Sequence, residues 1–309
     1  MTLKRWCNAL SSRGFLCFGC LFLCILLCSY VHAETCSVDD TKARVCLPHP
    51  AQRIITLSPG AAELVYSVGA GGQMVASVDY TDYPEAARHL PSVGGSSALD
   101  LERLLQYRPD LVIAWQSGNS PQQIRQLKQL GVPVFTLEPH GLGDVSASLE
   151  RLGVLTGHTS EGQDKASRFS DGIAQLRQHY AKLSPVRTFY EVWNQPLMTI
   201  NHQQIINQVI ELCGGRNIYA ALTPLVPRMS KEAVLADNPD AIVSGGEGEH
   251  NDSWLNDWKQ YPQLSATAHH NLIFIPPDLM DRPTLRLLQG AQMLCQKLDA
   301  ARHRLAGNP

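Results

Sequence analysis

Ser160-Glu-Gly-Gln-Asp-Lys-Ala-Ser-Arg-Phe-Ser-Asp-Gly-Ile-Ala-Gln-Leu-Arg-Gln-His-Tyr-Ala-Lys-Leu183 is the stretch on which the fold turns. Ala166, Phe169, Ile173, Leu176, Tyr180 and Leu183 recur at alternating steps of three and four, the spacing of one buried helical stripe. A helix of that length is about 36 Å long. Pro185 ends it, and Gly162 and Gly172 are expected only to weaken it. An ordinary long surface helix would give the same periodicity. The sequence on either side points instead to a rigid strut, residues 159–184, between two lobes.

Strands alternate with helices on both sides. Upstream, Arg53-Ile-Ile-Thr-Leu57 is β-rich, and Ser58-Pro59 opens a helix with a capping residue and a proline in the first turn. Gly69 and Gly71 stop that helix, and Met74–Val78 is a second strand. A short helix at Leu101–Tyr107, a strand at Leu111–Trp115, a helix at Gln122–Leu130 and a strand at Val132–Leu137 follow. Downstream, the strands Val186–Val192, Ala241–Val243 and Leu272–Ile275 alternate with helices at Gln203–Cys213 and Ser230–Ala236. A long final helix runs from Thr284 to about Leu305. This rhythm predicts an α/β fold of two Rossmann-like lobes with parallel sheets, residues 53–158 and 185–309, joined by one long backbone helix. An internal echo supports it. Glu102, Pro109 and Asp110 lead into Leu-Val-Ile, and Glu232, Pro239 and Asp240 lead into Ala-Ile-Val, at a constant offset of 130.

The remaining sequence bounds the compartment. Lys4, Arg5 and Arg13 precede and flank an apolar run from Gly14 to Val31, and Val31-His32-Ala33 has the small-x-small form of a cleavage site. Residues 1–33 are therefore expected to be an export signal, followed by a Cys-bearing lead at 34–52. The signal carries three basic and no acidic residues, so its removal shifts the formal charge from −2 to about −5. Five of the nine cysteines leave with it. Cys36 and Cys46 are close in sequence within the lead. Cys213 and Cys295 lie on the apolar faces of two helices of the second lobe. In an oxidising compartment these read as two disulfides rather than four free thiols. The near-balanced charge and the absence of a basic block exclude a nucleic-acid footprint, and 44% hydrophobic content excludes a disordered chain.

The chemistry-bearing residues point to binding rather than catalysis. The mature chain holds no Gly-x-Ser-x-Gly elbow, no phosphate loop, no His-Glu-x-x-His and no Cys-x-x-Cys. Tyr80 and Tyr83 follow the second strand, Trp115 ends a buried strand, and Trp193 ends the first strand of the second lobe. Open parallel sheets bind ligands beyond their carboxyl ends. Each ring alone could be core packing, but together they predict a cleft between the lobes. A metal-dependent exported enzyme would instead need His140, His202 or His269-His270 to converge on one ligand sphere.

The chain resembles the class III periplasmic binding proteins of ABC importers over residues 52–303. The resemblance rests on Arg53-Ile-Ile-Thr-Leu-Ser-Pro59 with Glu63-Leu64, Tyr80-Thr-Asp-Tyr-Pro84 and Arg108-Pro-Asp-Leu-Val-Ile-Ala-Trp115. Asn207-Gln-Val-Ile-Glu-Leu-Cys-Gly-Gly-Arg-Asn217, with a second cysteine in the last helix, adds to it. Within that family it is most similar to the cobalamin (vitamin B12)-binding members. The resemblance implies a non-enzymatic, monomeric periplasmic receptor. It would deliver cobalamin or a related corrinoid to the permease dimer of an ABC importer. Cobalamin would be transported ligand, with no cofactor and no metal of the protein's own. Tyr80, Trp115 and the loop Asp278, Leu279, Met280, Asp281 and Arg282 would contact it, and Trp193 is a further candidate. Glu102 and Glu232 match glutamates that meet permease arginines, and the Cys213–Cys295 pair agrees with the family pattern. The family's other cleft aromatics fall near Ser96, Met198 and Val226, which are not aromatic here. Haem-binding relatives place a tyrosine near the Ser96 position, which speaks against haem. A ferric siderophore or other metal chelate is the alternative ligand.

Overall fold

A computed structural model describes residues 34–246 and 251–307, so the expected export signal lies outside the described residues. The lead segment forms a hairpin of β1 (Thr35–Val38) and β2 (Arg44–Leu47). Cys36 and Cys46 face each other across it and are disulfide-bonded.

The N-terminal lobe runs β3 (Ile54–Thr56), α1 (Pro59–Ser67), β4 (Met74–Ala76), a small ribbon of β5 (Gly94–Gly95) and β6 (Ala98–Leu99), and α2 (Leu101–Gln106). It continues through β7 (Leu111–Trp115), α3 (Pro121–Gln129), β8 (Val134–Leu137) and α4 (Leu142–Thr156). The long helix α5 (Thr159–Tyr180) follows. The C-terminal lobe comprises β9 (Val186–Glu191), α6 (Ile205–Leu212), β10 (Gly215–Asn217), α7 (Lys231–Asp237), β11 (Ala241–Ser244), α8 (Ser253–Lys259), α9 (Ser265–Ala268), β12 (Leu272–Phe274) and α10 (Arg286–Leu305). Each lobe holds one four-stranded parallel sheet, in the orders β4-β3-β7-β8 and β10-β9-β11-β12. The edge strand β8 is covered by the lead: Asp40 N donates to Thr136 O at 3.0 Å, and Glu138 N donates to the Asp40 carboxylate. That uses backbone groups an open edge would leave to solvent.

The offset of 130 has a structural cause. Asp100 and Ser230 cap the starts of α2 and α7, accepting from the amides of Arg103 and Ala233. Arg108 and Asn238, at the same offset, both adopt left-handed backbone with φ 46°. Asp110 then accepts from the amides of Gln52 and Arg53 at the start of β3, and Asp240 from the Arg187 amide at the start of β9. The Arg53 guanidinium donates to carbonyls at the end of α2, and the Arg187 guanidinium to carbonyls at the end of α7. One hydrogen-bonded device therefore joins helix to sheet in both lobes.

One apolar cluster runs through both lobes, from Ile54, Leu111 and Phe135 across Phe169 of α5 to Val186, Ile206 and Leu294. The outer faces of the sheets have their own clusters, around Val112 and Leu127 in one lobe and Phe189 and Trp258 in the other. Both faces of each sheet are covered, as parallel sheets require. Cys213 and Cys295 are disulfide-bonded within the shared core.

The helical stripe differs from expectation in two details. The helix stops at Tyr180, so Leu183 lies beyond it and is exposed. Gly162 is a packing residue rather than a weak point: a Cβ there would sit 2.6 Å from Leu149 O, where α5 crosses α4 beside Gly153.

Candidate binding site between the lobes

The carboxyl ends of β3, β4 and β7 present the N-terminal side of the site. A chain of buried hydroxyls fixes the loop after β4. Thr56 Oγ1 lies 2.7 Å from Ser77 Oγ, which lies 2.9 Å from Thr81 Oγ1, and Thr81 donates to Val78 O. On that pinned loop Tyr80 has φ 63° and is 87% exposed. A tyrosine held in left-handed backbone, with its ring in water, carries cost without a packing return.

Trp115 is held as firmly. Its amide donates to Asn119 Oδ1 at 2.6 Å, and Asn119 Nδ2 donates to Leu57 O and Ser96 O. The indole lies over Gly118, where a Cβ would fall 1.9 Å from Cε3. Trp115 borders a cavity of about 230 Å³ with Ser58, Gly60 and Leu64 of the N-terminal lobe and Asp281 and Arg282 of the C-terminal lobe. The cavity thus draws its wall from both lobes.

Beside it lies an ionic network across the lobes. Arg282 Nη1 donates to Glu63 Oε1 at 2.9 Å and to Asp82 Oδ1 at 2.7 Å, and its Nη2 lies 3.2 Å from Asp278. Thr284 Oγ1 donates to Glu63 Oε2 at 2.9 Å, and Arg286 Nη1 approaches Glu63 at 3.4 Å. The Arg286 guanidinium stacks on the Tyr83 ring, 4.2 Å from its centroid. Burial raises the pKa of Glu63 even though two arginines oppose the shift. For Asp82 burial also pulls upward, but the hydrogen bond and charge of Arg282 win and hold it below the usual range. Arg282 is driven further into its charged form: burial opposes, and the Asp82 and Glu63 hydrogen bonds with the Asp278 charge outweigh it. Cutting one partner from such a buried network leaves an uncompensated charge.

Two more acids mark the C-terminal side. Asp281 is exposed at the cavity; the protein packed around it and the Asp278 charge raise its pKa, while the Tyr190 hydroxyl opposes the rise. Water in the cavity moderates that rise. Glu191 ends β9 fully buried and accepts from Trp258 Nε1 at 2.8 Å; desolvation pushes its pKa up to about 7.

The residues singled out from sequence fall into distinct places. Trp115, Asp281 and Arg282 meet at the cavity, and Asp278 joins the network through Arg282. Tyr80 stands exposed on its own loop, and Leu279 is half-buried. Met280 is fully buried in the shared core. Trp193 does not line this cavity and borders instead a more open hollow of about 430 Å³ with Trp254. Glu102 and Glu232 are exposed in the first turns of α2 and α7. His202 bonds Ala220 O and His269 bonds Ser265 O. Among the described residues the histidines join no group of three ligands; the one such group, Glu34 with Cys36 and Cys46, has its cysteines in a disulfide. Sequence reasoning gave no role to Glu63, Asp82, Arg286 or Trp254. Glu63 carried a signal, being a carboxylate on the apolar face of α1 next to Leu64.

No helix of the described residues is long and apolar enough to cross a membrane. A Vitamin B12-binding protein of Yersinia pestis (strain Pestoides F) is 35% identical over 248 residues, 80% of this chain and 86% of the relative. That of Yersinia pseudotuberculosis serotype O:1b (strain IP 31758) matches to the same extent. Among solved structures, the periplasmic vitamin B12 binding protein BtuF of Vibrio cholerae has a TM-score of 0.74 at 32% identity, covering 82% of this chain and 98% of that one. The periplasmic heme-binding protein RhuT from Roseiflexus sp. RS-1 shares the fold, with a TM-score of 0.73 at 21% identity over 81% of this chain and 99% of that one. Residues 54–279 match the periplasmic binding protein family. With its two parallel-sheet lobes and the cavity between them, this chain belongs to that family.

Proposed function

We propose that the chain is a non-enzymatic periplasmic receptor that captures cobalamin or a related corrinoid between its lobes. It hands this ligand to the permease dimer of an ABC importer. The observation that carries the reading is the cavity walled by Trp115 from one lobe and Asp281 and Arg282 from the other, in a chain 35% identical to a Vitamin B12-binding protein. A cavity of about 230 Å³ is small for a macrocycle. The ligand therefore overhangs it, and the exposed rings of Tyr80 and Trp115 are surfaces it covers. Burying rigid rings gains apolar area at low entropic cost. The loop Asp278–Arg282 offers polar groups to the ligand rim. Glu102 and Glu232, repeated one per lobe, would face a basic residue on each half of the permease. Such rim charges set orientation and encounter rate more than affinity.

Equilibrium dialysis of the mature protein against cyanocobalamin, a ferric siderophore and haemin tests the ligand. The expected result is saturable retention of cyanocobalamin with one site per chain. Retention of the ferric siderophore alone would select the chelate reading instead.

A further inference from the structure

The ionic network beside the cavity has a hub that does not touch the cavity. Glu63 sits on α1 among wall residues, Gly60, Ala61 and Leu64, yet is not part of the wall, and its side chain is 2% exposed. The partners of its carboxylate come from the other lobe. Arg282 Nη1 and Arg286 Nη1 reach Oε1 at 2.9 and 3.4 Å, and Thr284 Oγ1 reaches Oε2 at 2.9 Å. Buried ion pairs are a weak source of stability, and an apolar side chain on this face of α1 would avoid the desolvation they cost. What the acid supplies instead is direction: it fixes where two guanidinium groups point.

The same two arginines reach the loop that carries Tyr80. Arg282 Nη1 also donates to Asp82 Oδ1 at 2.7 Å, and the Arg286 guanidinium lies 4.2 Å from the centroid of the Tyr83 ring. The loop is therefore held from both lobes. Its own lobe grips it at Thr81, through Ser77 Oγ and Val78 O, and the other lobe grips it at Asp82 and Tyr83. The exposed Tyr80 directly precedes these anchors. Arg282 itself lines the cavity. One buried carboxylate thus ties together a cavity residue of one lobe and an aromatic loop of the other.

Resting on the corrinoid reading, we propose that Glu63 is a positioning residue for ligand capture: without meeting the ligand, it sets Arg282 and the Tyr80 loop in the geometry that receives it. The cleft is then formed before the ligand arrives. Groups already ordered pay no entropy at the binding step, and that is how a preorganised site gains affinity. Without the Glu63 charge, Arg282 and Arg286 are left to share Asp82 and Asp278. The loop and the cavity wall then lose their common reference.

Calorimetry with cyanocobalamin on the mature protein, Glu63→Gln, Tyr80→Ala and the double variant tests this. Glu63→Gln keeps the shape and removes the charge, and it should weaken binding about tenfold. Tyr80→Ala should cost about fivefold in the wild type, as loss of an aromatic contact does. Beside Glu63→Gln it should cost about twofold at most, because a ring on an unpositioned loop has little left to lose. An equal cost in both backgrounds marks a purely structural Glu63 and overturns the inference while the corrinoid reading stands. A second measurement needs no ligand. The four cysteines of the described residues are paired in disulfides, so nitroxides attach at Ala86→Cys, just past the loop, and at Gln289→Cys on α10, both exposed positions. Their distance distribution should be narrow in the otherwise wild-type protein. It should broaden in Glu63→Gln and in Asp82→Asn, the latter a change at a half-exposed side chain that folding tolerates. An unchanged distribution in both would also overturn the inference. If the wild type binds no cyanocobalamin, the corrinoid reading falls and the positioning role with it.

Discussion

Glu191 shows how one buried acid shapes the response to pH. Its folded pKa of about 7 lies above the 4.5 of an ordinary glutamate, so the folded protein holds the proton longer than the unfolded chain. Below pH 4.5 both states are protonated and there is no penalty. As pH rises toward about 7 the folded state loses stability through this group, and above that the loss is constant. Glu191→Gln keeps an acceptor for Trp258 Nε1 and removes the titration. At about pH 8 the variant should be more stable than the wild type by on the order of 1–3 kcal/mol, and the gap should close by about pH 4.5. Thermal melts across that range check it; a gap independent of pH would contradict the assignment. At this scale the sequence was partly legible. Trp115, Asp281 and Arg282 were readable because strand ends and a family-like loop place them. Trp254 was not, since only the fold brings α8 against the residue after β9. Nor was the destination of Arg282, whose acids lie some two hundred residues upstream.

Helices were legible where their buried faces are periodic, and small residues were misread where contact rather than propensity decides. Helix α4 has such a face in Leu142, Val145, Leu149, Leu152 and Leu155, all buried, yet it was not anticipated beside the longer stripe of α5. Strand β10, Gly-Arg-Asn, has no apolar pattern to read and forms because β9 offers it a parallel edge. Gly162 separates propensity from packing directly. Alanine in a helix interior is worth about 1 kcal/mol over glycine, so propensity alone predicts that Gly162→Ala stabilises. Its Cβ would meet backbone, 2.6 Å from Leu149 O and 3.1 Å from Gly153 Cα. Backbone cannot rotate away, and overpacking costs typically 1–3 kcal/mol. Urea denaturation should therefore show a lower midpoint for Gly162→Ala with an unchanged slope. A raised midpoint would return the residue to a mere helix weakener.

The two-lobe organisation was the most legible feature of the molecule, because the offset of 130 reflects a physical device used twice: cap, left-handed residue, proline, and an aspartate that holds the neighbouring strand. That duplication also gives both lobes an exposed glutamate at the same place. The double change Glu102→Arg with Glu232→Arg should abolish corrinoid uptake by cells while affinity in solution stays near that of the wild type. Normal uptake by the folded double variant would remove the docking role. The ligand's seat is the central claim, and cobalt makes it directly observable. A crystal of the mature protein grown with cyanocobalamin, measured at the cobalt absorption edge, should show one anomalous peak per chain. We expect that peak in the cleft between Trp115 and Arg282. A peak on the outer surface of either lobe, or no cobalt peak in crystals soaked at saturating ligand, would contradict the account.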